Sequence, residues 1–290
     1  MNIKTKADRV IDVIIYLIMS IIIVIAVFPI WYILVASFSS NDAVASGKVM
    51  LWFKDFTFES YKSVINTDGI WMSYGNTIFY SFFGTVVNMF LTVTCAYALS
   101  KKWLYGKKII TLYIMFSMWF GAGMMANFIN YRDLGLIDSR WGMLLLGAVS
   151  AYNVILMRSF FESIPEALEE SAHLDGASEF TILWKIYLPL STAALMTISL
   201  YYFVGHWNAY FWSMILLQDE TKLPLQVLLQ KLVVKMDSMS KAGGTTDYTV
   251  VSRETIVYAT MVVAVLPMLI VYPFVQKFFV KGVMIGAVKG

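Results

Sequence analysis

Six stretches of this chain are mostly apolar and contain no Asp, Glu, Lys or Arg: 13–36, 75–100, 109–130, 141–157, 190–217 and 255–275. A helix rises about 1.5 Å per residue and the hydrocarbon core of a bilayer is about 30 Å thick, so about 20 apolar residues are enough to cross it. Alternating apolar and polar positions are absent, which argues against a β-barrel and predicts helices. One charged residue at the centre of a membrane helix costs about 3 kcal/mol, so its absence from all six runs is itself a membrane signal. The shortest run, 141–157, is flanked by Trp141 and Arg158, an interfacial ring and a snorkelling cation. Pro29, Pro267 and Pro273 fall within runs and predict local kinks.

Composition agrees with this pattern. Of 290 residues, 59% are hydrophobic and only 14% charged, and the mean hydropathy is +0.69; soluble domains carry about a quarter charged residues. The chain reads as an all-α, multi-pass integral membrane protein. A net charge of +3 with scattered bases excludes a nucleic-acid partner. The single cysteine, Cys95, sits in an apolar run and reads as a small buried hydrophobe. The basic start "MNIKTKADRV" precedes an apolar run far longer than the about 7–15 residues of a signal-peptide core, so the first span is expected to be retained.

Six spans put both termini on one side, with "KKWLYGKK" (101–108) and the segment 158–189. Leaving that segment aside, Lys and Arg are more than twice as dense on this side as on the other, which predicts that it is cytoplasmic.

One segment on that side breaks the apolar pattern: "PEALEESAHLDGASEFTILWKIYLPL", 165–190. Ser163 and Glu166 have capping-box spacing, Pro165 suits a first turn, and Glu166, Glu169 and Glu170 favour the positive end of a helix dipole. Ala167, Leu168, Ser171, Ala172 and Leu174 give that helix a small, moderately apolar face. Asp175-Gly176 offers a break and Ser178 a cap for a second helix leading through Phe180, Leu183, Trp184 and Tyr187 to Pro189. The result is a helix-turn-helix elbow. Lying on lipid headgroups is the plainer role, but interfacial helices are usually basic and this one is acidic, so docking to a protein explains it better.

The spacing from Glu170 through Ala172, Gly176 and Ile186 to Leu188-Pro189 resembles the cytoplasmic loop motif of binding-protein-dependent ABC importer permeases, with Ser171 in place of that motif's first alanine. "GHWNAYFWSMILLQDETKLPLQVLL" (205–229) is similar to the fifth-span signature of the carbohydrate subfamily that includes the maltose-type permease, and "FVKGVMIGAVKG" (279–290) to its tail. The nearest group is the Gram-positive-type permeases for complex oligosaccharides or polysaccharides. Ala209 departs from relatives that carry Glu there. The resemblance implies a type I ABC importer permease fold of six transmembrane helices with a cytoplasmic coupling helix. It also implies a second permease subunit forming a heterodimer, two ATPase subunits and an external solute-binding protein, around a chain embedded in membrane lipid. Glu169, Glu170, Ser171, Ala172, Leu174, Asp175, Gly176 and Ala177 would then be the ATPase-coupling residues. The chain has no GxxxxGK[ST] loop, so it is expected to bind no cofactor or metal and to lack catalytic residues, with ATP and Mg held by the partner ATPases.

A sugar needs aromatic faces and amide or hydroxyl groups. Tyr201, Tyr202, His206, Trp207, Asn208, Tyr210 and Trp212 supply these along the fifth span, and Asn88, Asn127 and Asn130 add amides in the second and third. An aromatic belt with interhelical hydrogen bonds is the alternative for the same residues. The polar stretch 236–254 reads either as a flexible external loop or as a reach toward a binding protein, and "GVMIG" (282–286) lies outside the spans and is not read as a helix-dimer motif. Polyol or sugar-phosphate cargo is a further possibility. An intramembrane enzyme would need a nucleophile–base pair or metal cluster, and a stand-alone channel would not need the elbow.

Overall fold

The computed structural model describes residues 6–241 and 255–273. The loop 242–254 and the tail motifs at 279–290 lie outside the described residues. Every regular element described is helical: α1 (Lys6–Ser37), α2 (Asn41–Ala45), α3 (Glu59–Ile65), α4 (Ile70–Ser100), α5 (Lys107–Trp119), α6 (Gly123–Asp133), α7 (Arg140–Leu144), α8 (Ala151–Glu162), α9 (Glu166–Leu174), α10 (Glu179–Ile182), α11 (Leu188–Leu190), α12 (Thr192–Trp207), α13 (Tyr210–Leu216), α14 (Leu225–Lys241) and α15 (Thr255–Pro273). A π turn, Leu183–Tyr187, joins α10 to α11. The described residues pack as two units, one up to residue 70 together with residues from 229 to 267, the other over 71–228 and from 268 onward.

In the first unit α1 carries no charged residue after Asp12, reaches a mean hydropathy of 3.1 in the most apolar stretch of Val10–Ser37, and runs on through Pro29 as one helix. It is apolar on all faces and exposed over most of its length, the pattern of a helix whose solvent is lipid. Its end packs: Val35 and Ala36 join Ala43, Val44 and Val49 in a small core, where the Tyr32 and Tyr258 rings meet edge to face. Thr255 Oγ1 donates to Asn41 Oδ1, fixing the start of α15 beside α2.

The second unit is built on α4. Its Val93, Ala96, Tyr97 and Leu99 pack with Val154, Met157 and Phe161 of α8, Ile182 to Tyr187 of the elbow's second arm, and Ala194, Ile198 and Tyr202 of α12. This core brings the expected second, fourth and fifth spans together with the acidic elbow.

Three of the expected spans are not single helices. α5 and α6 meet at 116°, with Gly123 at the break in a left-handed backbone (φ +78°). Within 141–157 the chain leaves the helix after α7, turns at Gly147 (φ +60°) and restarts at α8, where Ser150 Oγ accepts from the Asn153 N–H at 3.4 Å. Within 190–217, α12 ends at Trp207 and α13 begins at Tyr210. At the entry to that run, Glu179–Leu190 and Thr192–Trp207 meet at 85° around Ser191. Apolar composition allows a helix to continue through these points, but glycine, serine and asparagine make stopping inexpensive where tertiary packing favours a bend. Among the described residues, three helices are long and apolar enough to cross a membrane, or up to five spans if each bent pair counts as one.

Candidate coupling elbow and solute path

The elbow forms where local rules place it, with one difference. The helix α9 starts behind Pro165, but Ser163 does not cap it; its hydroxyl donates to the Phe160 carbonyl at 2.7 Å, closing α8 instead. At the other end the Gly176 N–H donates to His173 O (3.0 Å) and the Ala177 N–H to Ala172 O (2.9 Å), the paired bonds of a Schellman motif, with Gly176 at φ +77°. Ala172 and Ala177 are half-buried against the core. Ser178 then caps α10, accepting from the Thr181 N–H at 3.3 Å.

Two sets of side chains result. Glu170, Ser171, Asp175 and Gly176 are exposed, and Leu174 stands at the tip with 90% of its surface in solvent. Glu169 turns inward. Its Oε1 accepts from Lys101 Nζ at 2.6 Å and its Oε2 from the Tyr187 hydroxyl at 2.5 Å. Burial pushes the Glu169 carboxyl up, but these bonds and the Lys101 and His173 charges outweigh it and hold the group below the usual range. Of the elbow's expected coupling acids, Glu170 and Asp175 are thus open to solvent, whereas both carboxylate oxygens of Glu169 are bonded within the chain.

The basic loop 101–108 makes two further ion pairs, one to the elbow and one to the end of α8. Lys102 pairs with Glu166, both largely exposed, and Lys107 Nζ reaches Glu162 Oε1 at 2.9 Å. Arg158 Nε also donates to Glu162 Oε1, at 2.9 Å, and its NH1 to Thr111 Oγ1, at 2.8 Å. Burial raises the Glu162 carboxyl, and the Lys107 and Arg158 contacts more than reverse this. Ligand atoms of Glu169, His173 and Glu179 lie within 4.8 Å of one another, close enough for a metal ion, but the Lys101 ammonium already supplies a cation at this cluster.

The path candidates divide by burial. His206, Trp207, Tyr202 and Asn88 are buried. Asn88 Nδ2 lies 3.1 Å from His206 Nε2, linking α4 to α12, and the imidazole lies flat on Gly84, where an added Cβ would come within 2.5 Å of the ring. The Tyr202 hydroxyl bonds Thr92 Oγ1 at 2.7 Å and accepts from the Ser150 N–H at 3.0 Å. Trp207 packs between Tyr74 and Phe203. Asn208 is exposed and Tyr210 half-exposed. Asn127, Asn130, Tyr131 and Trp212 line a cavity of about 490 Å³, with the Tyr131 and Trp212 ring centres 6.2 Å apart. Asn88, Tyr201, Tyr202 and His206 line a second cavity of about 180 Å³; Leu146 and Gly147 border both. Among the described residues, neither cavity has a charged residue in its lining.

A family model described as "Binding-protein-dependent transport system inner membrane component" matches residues 1–285. The chain belongs to this family. Among the relatives of this inner membrane component is Protein LplC of Bacillus subtilis (strain 168), 38% identical over 287 residues, which are 99% of this chain and 97% of that one. The polygalacturonan/rhamnogalacturonan transport system permease protein YtcP of the same organism is 39% identical over 287 residues, 98% of this chain and 99% of its own. A chain in a crystal structure of a bacterial ABC transporter involved in the import of the acidic polysaccharide alginate superposes with a TM-score of 0.87 at 41% identity, covering 96% of this chain and 100% of that chain. The fold is that of a type I ABC importer permease.

In this permease Tyr97, Lys101, Glu179 and Tyr187 meet in the network around Glu169, and Tyr131 lines the larger cavity, although their residue types alone did not point to these contacts. One signal pointed to part of this: a basic loop, 101–108, expected on the same side of the membrane as an acidic insert. Which base meets which acid, 68 residues away for Lys101 and Glu169, follows only from the packing of α4 against the elbow.

Proposed function

We propose that this chain is the transmembrane permease subunit of an ABC importer and forms half of a translocation path for an oligosaccharide or polysaccharide fragment. A solute-binding protein delivers the cargo from outside, and ATP hydrolysis, with ATP and Mg held on two partner ATPase subunits, drives the movement; a second permease completes the path. The termini, the 101–108 loop and the elbow face the cytoplasm in this reading, as the Lys/Arg distribution favours.

The observation that carries the proposal is the elbow's geometry. Leu174 is solvated at the tip of a short helix that a Schellman turn and a network of ion pairs hold in place, with Glu170 and Asp175 beside it. An apolar knob flanked by acids on a braced helix suits insertion into a groove rimmed by basic residues. Glu170, Ser171, Leu174, Asp175 and Gly176 would make the contacts, Glu169 would hold the helix from behind, and Ala172 and Ala177 would seat it on the core. ATPase closure would then move the elbow, and through α8 and α12 the spans. On the solute side the amides of Asn127 and Asn130 and the rings of Tyr131 and Trp212 suit sugar hydroxyls and C–H faces. Asn88, Tyr202 and His206 lie deeper, and Trp207, Asn208 and Tyr210 belong to the same run. The relatives' cargoes support a carbohydrate substrate, uronic-acid polysaccharide fragments among them.

The test is reconstitution. The chain is expressed with its neighbouring permease and ATPase genes, and the complex is placed in proteoliposomes with the cognate binding protein. Oligogalacturonide, oligoalginate or neutral oligosaccharide is then added and ATP hydrolysis followed. Ligand-stimulated hydrolysis with sugar uptake is expected. A chain that purifies without partners and shows transport or catalysis by itself would overturn the reading.

A further inference from the structure

An ammonium withdrawn from water is stable only if the surrounding groups replace its hydration. Lys101, directly after α4, is 3% exposed. Its Nζ lies 2.6 Å from Glu169 Oε1 and 3.6 Å from Glu179 Oε2, and sits over the Tyr97 ring at 4.1 Å and the Tyr187 ring at 4.5 Å. The two phenols close the arrangement, because the Tyr97 hydroxyl donates to Glu179 Oε2 and the Tyr187 hydroxyl to Glu169 Oε2, each at 2.5 Å. Each carboxylate thus joins the ammonium to a phenol whose own ring faces that ammonium. Phe161 packs edge-on against both tyrosines, leaving an apolar wall behind the charges.

The origin of these groups gives the cage its meaning. Tyr97 and Lys101 come from the end of α4, Glu169 from the elbow's first helix, and Glu179 and Tyr187 from its second arm. Both arms of the elbow are therefore tied to one span through one cation. The neighbouring pair of Lys102 and Glu166 is 78% and 54% exposed. Such a surface pair is screened and adds little, whereas removing one partner of a buried pair leaves an uncompensated charge.

We propose that Lys101 is a positioning residue for energy coupling: its caged ammonium makes the elbow and the end of α4 move as one body, so that displacement of the elbow is delivered to α4. This rests on the elbow being the ATPase contact proposed above. Ala172, Ala177, Ile182 and Leu183, none of them part of the cage, pack in or against the core and support the elbow's shape as well. What the cage adds is a charge-specific link that resists shear between the elbow and the span.

The experiment uses the complete transporter in proteoliposomes and reads solute transported per ATP hydrolysed. The single change Lys101→Met strands two carboxylates and risks misassembly, so the informative variants are Lys101→Met/Glu169→Gln, which leaves fewer buried charges, and the milder Glu179→Gln and Lys101→Arg. With a network of this kind, transport per ATP is expected to fall about tenfold in the double variant while ATP hydrolysis persists. Glu179→Gln should shift the ratio in the same direction by less, and Lys101→Arg should restore most of it. An unchanged ratio in the variants, or transport and hydrolysis falling in proportion, overturns the proposal. If the double variant does not assemble, the ratio in Glu179→Gln decides by the same criterion. Absence of binding-protein-stimulated hydrolysis in the unaltered complex would instead sink the importer reading itself, so the two failures are distinguishable.

Discussion

Glu169 and Glu170 are adjacent on one helix yet do opposite things: Glu169 Oε1 sits 2.6 Å from the buried Lys101 ammonium, while Glu170 is exposed beside the Leu174 tip. A helix turns about 100° per residue, so neighbours face different directions and two like residues divide into a brace and a contact. Substitutions at the two sites should therefore fail differently. Glu169→Gln should lower the thermal stability of the complex. Glu170→Lys should leave stability and membrane insertion unchanged and abolish coupling of transport to ATP hydrolysis. Parallel thermal scans and proteoliposome uptake check both outcomes.

Gly176 tests backbone conformation separately from space. A Cβ at this position would meet nothing within 4 Å, but φ is +77°. A branched residue in this left-handed region costs about 1–2 kcal/mol, while asparagine tolerates it. Gly176→Val should lower the apparent Tm of the detergent-solubilised complex and uncouple transport, and Gly176→Asn should do so much less. Equal behaviour of the two variants would show that the left-handed turn is unimportant.

Gly84 presents the opposite case, where space is the constraint. A methyl there would overlap His206 Nε2 at 2.5 Å, displacing the ring from Asn88. Overpacking of this kind costs about 1–3 kcal/mol. Gly84→Ala should lower the Tm, and Gly84→Ala combined with His206→Ala should recover part of the loss if the clash is the cause.

Ser178 caps the second arm of the elbow. Its replacement by alanine removes one acceptor for the first-turn amides, an effect of about 1 kcal/mol. Ser178→Ala should show that loss in thermal scans, whereas Ser163→Ala, at a serine that caps no helix start, should show less.

The Glu169 and Glu162 carboxyls are both held below their ordinary range in the folded protein. A group with a depressed folded pKa contributes stability above its unfolded pKa, near 4.3 for glutamate, and loses it as pH falls through the folded value. For Glu169 the surrounding groups are Lys101, Tyr187 and His173; for Glu162 they are Lys107 and Arg158. The Tm should thus decline as pH falls below about 4.3. In Glu169→Gln it should start lower at pH 7 and decline less steeply. Parallel acid limbs for the two proteins would contradict this account of Glu169.

The sequence by itself determined the solvent of the helices, the elbow and its turn. Apolar runs free of charge follow from the cost of burying an ion in lipid, which no tertiary contact removes at most positions. The turn at Gly176 and the cap at Ser178 are local, since every bond involved spans at most five residues. Spacing from Glu170 to Pro189 carried the family resemblance for the same reason. Tertiary structure alone decided where apolar runs break, because glycine at 123 or 147 permits a bend without requiring one. It also decided which acids are spent internally. The ion pair of Lys101 with Glu169, the caged tyrosines and the His206 ring on Gly84 each join segments distant in the chain, and their partners are chosen by how α4 packs against α8, the elbow and α12.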